Sequence, residues 1–213
     1  MAQVPTGTTF FVYTSLATAK AVTVVTNAAE AVVTALAHGF SNGAVVMMYS
    51  GWGRLNRRAY RIKSVTTDTF VLEGCDTTNT NFFPTGSGIG TVQLAQTPIQ
   101  VTQVLSSNTS GGDAKRTNYK YLESDVEFSI NDGFNPVTRT MEIDADAFGG
   151  TAYNLLRTLT ETGADTVIKT VLKNGSFTLT PAVVALNEEI VFQDGNVNRV
   201  RVDISGTNRS VRY

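Results

Sequence analysis

The sequence predicts a mainly β protein with one α-helix and a small all-β domain inserted near its start. Three observations carry that expectation. Thr (31 residues) and Val (25 residues) make up over a quarter of the 213 residues, and both fit the pleated strand. Two-residue alternation recurs along the chain, whereas an apolar stripe at helical spacing with start and stop signals is convincing only once, near residues 151–163. Charged residues are only 16% of the chain, below the roughly 25% of ordinary soluble domains. A hydrophobic share of 42% is nonetheless enough for a sizeable core.

A first short strand is expected at 8–13, rich in Thr, Phe, Val and Tyr. Strand-like segments follow at 22–26, 31–35, 45–49, 59–65 and 69–73, some divided by turn signals at Asn42-Gly43 and Thr67-Asp68. Their spacing suggests a compact β module over residues 17–97, inserted into a larger domain made of 1–16 and 98–213. One stretch allows two readings. Residues 27–39 also fit a helix, with Asn27 as cap, Glu30 in the capping-box position and Gly39 at the end. Residues 76–90, with Asn, Thr, Gly and Pro, form a long exposed connection.

Beyond it, 99–106 is a strand and 107–118 a polar loop carrying Gly111, Gly112, Lys115 and Arg116. Two informative strands are then expected. Residues 121–130 set Glu123, Asp125 and Glu127 against Leu122, Val126, Phe128 and Ile130; residues 139–147 set Glu142, Asp144 and Asp146 against Met141, Ile143 and Ala145. The turn-rich link 131–136, with Asp132-Gly133, would make them a hairpin. The helix follows, with Thr151 as cap, Ala152, Leu155, Leu156 and Leu159 as its apolar stripe and Gly163 as its stop. Closing strands are expected at 166–173, 176–180, 189–194 and 198–205, the first two joined at Asn174-Gly175.

Function classes narrow by exclusion. No apolar run reaches the roughly 18 residues of a membrane helix, and the first twenty residues lack the basic start and apolar block of a signal peptide, so folding in the cytoplasm is expected. One Cys and one His cannot build a Cys/His metal site or a disulfide, and no catalytic, metal or cofactor-binding residues are assigned. His38 fits a hydrogen-bonded turn better than a catalytic base, and Cys75 has no adjoining cation to activate it. The run 86–90 lacks the Lys-Ser/Thr of a phosphate loop. Arg54, Arg57, Arg58, Arg61 and Lys63 form a basic cluster without an aromatic stacking platform, which suits a solvated or partner-facing surface better than nucleic acid.

Charge is unevenly placed. Residues 1–112 carry 6 basic and 4 acidic side chains, while 113–213 carry 11 and 14. The six carboxylates of the expected hairpin are either the solvent side of an amphipathic sheet or a deliberate negative field. Like charges across a hairpin cost roughly 0.2–1 kcal/mol per pair, so the row needs interleaved cations or a function.

Two resemblances complete the reading. Val32-Val33-Thr34, His38-Gly39-Phe40, Gly43, Val45-Val46, Asn56-Arg57, Tyr60 and Thr69-Phe70-Val71-Leu72 resemble a small β module common in phage tail proteins, which favours strand over helix after Asn27. The remainder resembles the major tail tube proteins of long-tailed, siphovirus-like bacteriophages. The likeness lies in Thr6-Gly7-Thr8, the strand and polar loop, the two long strands, the helix, Lys173-Asn174-Gly175, and the closing strand that ends at Gly206.

That resemblance implies a tail-tube-type β-sandwich or barrel and a structural virion protein, with no enzyme activity and no cofactor. Homo-hexameric rings would stack into a hollow tube through which viral DNA passes without specific binding. Tape measure and tail terminator or tip proteins would be its partners. It further implies that Glu123, Asp125, Glu127, Glu142, Asp144 and Asp146 line the lumen. Asn108, Asp113, Lys115 and Arg116 would make ring-to-ring contacts, and assembly would take place in the host cytoplasm. The alternative expectation is a tail-associated adhesin or tail-tip protein that binds a receptor through the small module.

Overall fold

The computed structural model describes residues 6–213; residues 1–5 of the expected 1–16 portion of the larger domain lie outside the described residues. The protein is mainly β, a large curled sheet with one helix. Fourteen strands follow one another antiparallel in the order β3-β4-β7-β6-β5-β8-β1-β13-β14-β15-β12-β9 with β2 and β16 attached alongside β8 and β14. The first seven are β1 (Thr9–Leu16), β2 (Lys20–Val22), β3 (Val24–Val25), β4 (Val32–Thr34), β5 (Val45–Ser50), β6 (Arg58–Lys63) and β7 (Thr69–Leu72). Next come β8 (Gly90–Val101), β9 (Val104–Ser110), β10 (Ala114–Tyr119), β11 (Phe128–Phe134) and β12 (Thr138–Asp144). The chain ends with α1 (Thr151–Thr162), β13 (Thr166–Val171), β14 (Phe177–Val191), β15 (Arg199–Gly206) and β16 (Val211–Arg212).

Strand wins after Asn27 because burial there has period two. Ala31, Val33 and Ala35 are fully buried and β4 pairs with β3 and β7. Asn27 caps no helix; its side-chain amide donates to the carbonyls of Thr77 and Phe83, and Glu30 holds Lys63. The same bonds correct the expectation for 76–90, which is pinned down rather than simply exposed. Thr77 and Phe83 are buried, and Trp52 donates from Nε1 to the Pro84 carbonyl while its ring packs edge-on against Phe83. Gly88 lets the chain pass close to the indole, since a Cβ there would meet the Trp52 ring at 3.0 Å, tighter than most packed side chains. His38 behaves as a turn residue: its Nδ1 accepts from the Phe40 amide, between the rings of Phe40 and Phe70.

Around Trp52, Tyr60, Phe70, Val33, Ile62 and Leu72 lies a core whose buried residues all come from 22–92, with Leu94 and Val211 packed against its rim. A second core gathers Tyr153, Leu156 and Leu159 of α1 onto Ile168, Ala182, Val184, Val200, Val202 and Ile204 of the sheet. The helix ends as its sequence demands, with Gly163 left-handed and its N–H on the Leu159 carbonyl. Its start is Gly150, without a side-chain cap; Thr151 is the first helical residue instead. A third cluster, Tyr13, Val45, Met47, Ala59, Ala95, Val167 and Leu179, joins the two cores.

Two expectations for β14 change. Residues 176–180 and 189–194 were to be separate strands, yet one 15-residue strand runs through Pro181. Pro181 is tolerated because β14 pairs with β16 at Thr178–Leu179 and with β15 only from Ala182. Its carbonyl accepts from the Thr207 amide at that changeover, where no donor is asked of residue 181 itself.

Candidate assembly surfaces

The expected hairpin of 121–130 with 139–147 does not form. β12 pairs with β15 on one side and β9 on the other, while β11 pairs with β10. Together β9–β10 and β11–β12 make one long hairpin, bent where Gly111-Gly112 faces Asn135-Pro136. Gly111 has φ +79°, and a Cβ there would lie 2.1 Å from the Pro136 carbonyl oxygen, so only glycine allows the bend. Asn135 donates to Asp113 and Gly112 to Asn135 across it.

Beyond the bend, β10 and β11 have only each other, so the expected loop 107–118 is largely strand and the actual tip is 120–127. Two turn signals mislead. Ser124 makes the tip turn, its amide donating to Tyr121 and its hydroxyl accepting from Val126, whereas Asp132-Gly133 sits in a strand with a register shift opposite Lys115/Arg116.

This arm carries apolar side chains that nothing in the subunit covers. Tyr119 stacks on Phe128 and Tyr121 meets both rings edge-on, at 5.5–5.9 Å, and Tyr121, Val126 and Ile130 are exposed, with Leu122 wholly so at 105%. An isolated two-stranded hairpin is marginally stable in water, and contiguous exposed apolar surface marks a contact site. Lys115 bridges to Asp132 across the strands at 3.1 Å. Arg116, Glu123, Asp125 and Glu127 have no ion pair among the described residues.

The six carboxylates therefore do not share one face: Glu123, Asp125 and Glu127 ride on the arm tip, and Glu142 and Asp144 lie on β12, with Asp146 in the short helical turn after it. Met141 and Ile143 point into the core, so Glu142 and Asp144 take the sheet face opposite the helix. That face is not uniformly negative. Asp144 stands opposite Arg199, Glu142 opposite Arg201, and Thr140 opposite Asp203. Glu142 accepts from the Ser106 hydroxyl and lies 3.3 Å from Arg199 Nε; Asp203 takes Thr140 and Arg201. Interleaved arginines remove most of the like-charge cost. Asn108 lies on β9 at the edge of this face, opposite Thr140.

The basic cluster divides. Asp165 accepts from Arg57 and from the Tyr49 hydroxyl at 2.9 Å, tying the two cores together. Burial, then Asp165, pushes the Tyr49 hydroxyl up to about 12. Arg61 is bidentate on Glu73, whose carboxyl it holds below the usual range, and Lys63 meets Glu30. Arg54 and Arg58 have no ion pair among the described residues. Cys75 is buried, and burial pushes its thiol up, consistent with an inert side chain.

No helix among the described residues is long and apolar enough to cross a membrane. No curated protein matches the chain. Residues 50–213 match the phage tail tube protein family, a span that takes in the arm, the helix, and every strand from β6 to β16. With more than three-quarters of its length inside that match, the chain belongs to the phage tail tube proteins, structural components of the virion tail.

Proposed function

We propose that this chain is the major tail tube subunit, that six copies close into a ring, and that rings stack into a hollow tube for DNA. The observation that carries the reading is the arm: a two-stranded projection with an exposed aromatic row that a lone subunit leaves in water. Other copies supply the missing cover, with Asn108, Asp113, Lys115 and Arg116 along the hairpin as ring-to-ring contacts. The sparse charge of the chain fits a surface largely consumed by interfaces.

The open sheet face, with Glu142, Asp144 and the following Asp146, turns to the lumen. Arg199 and Arg201 are held beside Glu142 and Asp203 there, so neither of these two is free to capture phosphate. DNA held through counterion release would stick; a wall whose cations are already neutralised lets it slide. Glu123, Asp125 and Glu127, placed on the tip, serve contact rather than lining. Tape measure protein occupies the lumen before DNA, and terminator and tip proteins close the ends, all in the host cytoplasm.

Electron micrographs of the purified protein test this directly. Long hollow tubes of six-membered rings are expected, with Glu142 and Asp144 facing the channel in a reconstruction. Tubes with those side chains outside the channel overturn the lining, and monomers or trimers that bind cells favour a receptor-binding role instead.

A further inference from the structure

The arginines left over from the basic cluster open onto a cavity of about 500 Å³ at the base of the arm. Arg54 and Arg58 come from the N-terminal core and Arg209 from the far end of the chain, while Gly133 to Val137 of the arm close one side. None of the three has an ion pair among the described residues, and the Nε of Arg58 is buried without a hydrogen-bond partner. The guanidinium carbons of Arg54 and Arg209 lie over the rings of Phe82 and Phe134, 3.3 and 4.1 Å from the ring centres. Aromatic stacking holds each guanidinium in place and leaves its N–H fork for a carboxylate. One acid, Asp76, lines the same cavity, and its carboxyl is engaged by the amide and hydroxyl of Thr78. The cavity is thus two charges positive.

A complementary group exists on this same chain. The arm tip, 120–127, carries Glu123, Asp125 and Glu127 against Lys120, two charges negative, with all four charged side chains exposed. It cannot reach its own cavity, because β10 alone spans about 20 Å at 3.3 Å per residue and the cavity sits at the arm's root. We propose that the acidic tip of one copy docks into the arginine cavity of the next. Such a contact joins two different patches head to tail, the kind that propagates along a ring or a stack. The inference rests on the tube reading and adds to it a specific pair of surfaces.

The test uses full-length protein and two reciprocal variants, R54E/R209E in the cavity and E123R/D125R/E127R on the tip. Arg58 is left untouched because its buried Nε makes misfolding a risk; Arg54, Arg209 and the tip are exposed. Each variant alone is expected to elongate at least tenfold more slowly than wild type at low salt while melting at the same temperature. Mixed together, they are expected to co-assemble in alternation, because the acidic tip of one meets the unchanged arginine cavity of the other and the arginine tip meets the reversed cavity. In a parallel experiment, D125C mixed with R54C under oxidised glutathione, which takes up the two electrons, is expected to form an inter-copy disulfide, with buried Cys75 silent. Wild-type tubes combined with normal elongation of R54E/R209E, or with no cross-link, overturn the docking and leave the tube reading intact. Loss of assembly in R54E/R209E without rescue by the tip variant overturns the tip as occupant. A wild-type protein that never assembles removes the tube reading itself, and the docking with it.

Discussion

The N-terminal module and the arm are both antiparallel β structure from the same chain, and they are stabilised in opposite ways. The module buries Trp52, Tyr60, Phe70, Met47 and Met48 almost completely; two of its five clustered cations meet its own carboxylates, Glu73 and Glu30, and a third, Arg57, meets Asp165 of the other core. The arm has one partner per strand, an aromatic row in water and, on its tip, three carboxylates without ion pairs. One region is finished by folding; the other is finished only by assembly. Side-chain composition alone does not separate them, since Phe, Tyr, Val and Ile occur in both. What differs is whether a second layer of the same chain lies over the strand.

The sharpest way to break the comparison is to remove the arm. Replacing residues 113–135 by a two-residue turn is expected to abolish tube formation altogether, seen by electron microscopy and size-exclusion chromatography, while the thermal melt of the monomer stays within a few degrees. A large loss of monomer stability would mean that the arm is part of the subunit's own core. In the module the expectation is reversed. Trp52→Ala removes a side chain 1% exposed and is expected to cost about 3–5 kcal/mol in denaturant unfolding.

At the junction, Asp165→Ala leaves the Arg57 guanidinium and the Tyr49 hydroxyl without their shared acceptor. A loss of about 1–2 kcal/mol is expected in the same measurement, the cost of half-buried polar groups left without their acceptor. A pH series sharpens this further. Burial raises the hydroxyls of Tyr49 and Tyr213 from 10 to about 12. The unfolded chain therefore ionises first, so the stability these two confer is complete below pH 10 and lost as pH rises from 10 through 12. Melting temperature is expected to fall over that window in wild type and to fall less in the Tyr49→Phe protein. The smallest effect is Leu122→Ser, expected to change monomer stability by under about 0.5 kcal/mol because the side chain is fully exposed.

Much of the fold was legible from the sequence because its signals were local. The strand expected at 198–205 is β15, where Val200, Val202 and Ile204 are buried in alternation with Arg199, Arg201 and Asp203, and Asn174-Gly175 marked the β13–β14 turn. The arm was not legible, for a physical reason. Asp132-Gly133 is the stronger turn signal in isolation, and only pairing with Lys115 and Arg116 shows that it is accommodated as an irregularity within a strand. Gly111-Gly112, assigned to a loop, was the signal that a long hairpin bends there. The carboxylates of β12 were placed on the correct side of their strand, but the arginines facing them come from β15, some sixty residues on, beyond the reach of any local pattern.

One strand has a consequence for engineering. β8 runs 12 residues without interruption, pairing with β2 and β5 through Gly90–Leu94 and with β1 from Ala95 to Val101. The same backbone is therefore the edge of one unit and the spine of the other. Cutting out residues 17–97 as a cassette would sever the strand that β1 needs. A peptide grafted into the turn at 41–43 would instead be presented at a fixed angle, carried on rigid sheet rather than on a tether.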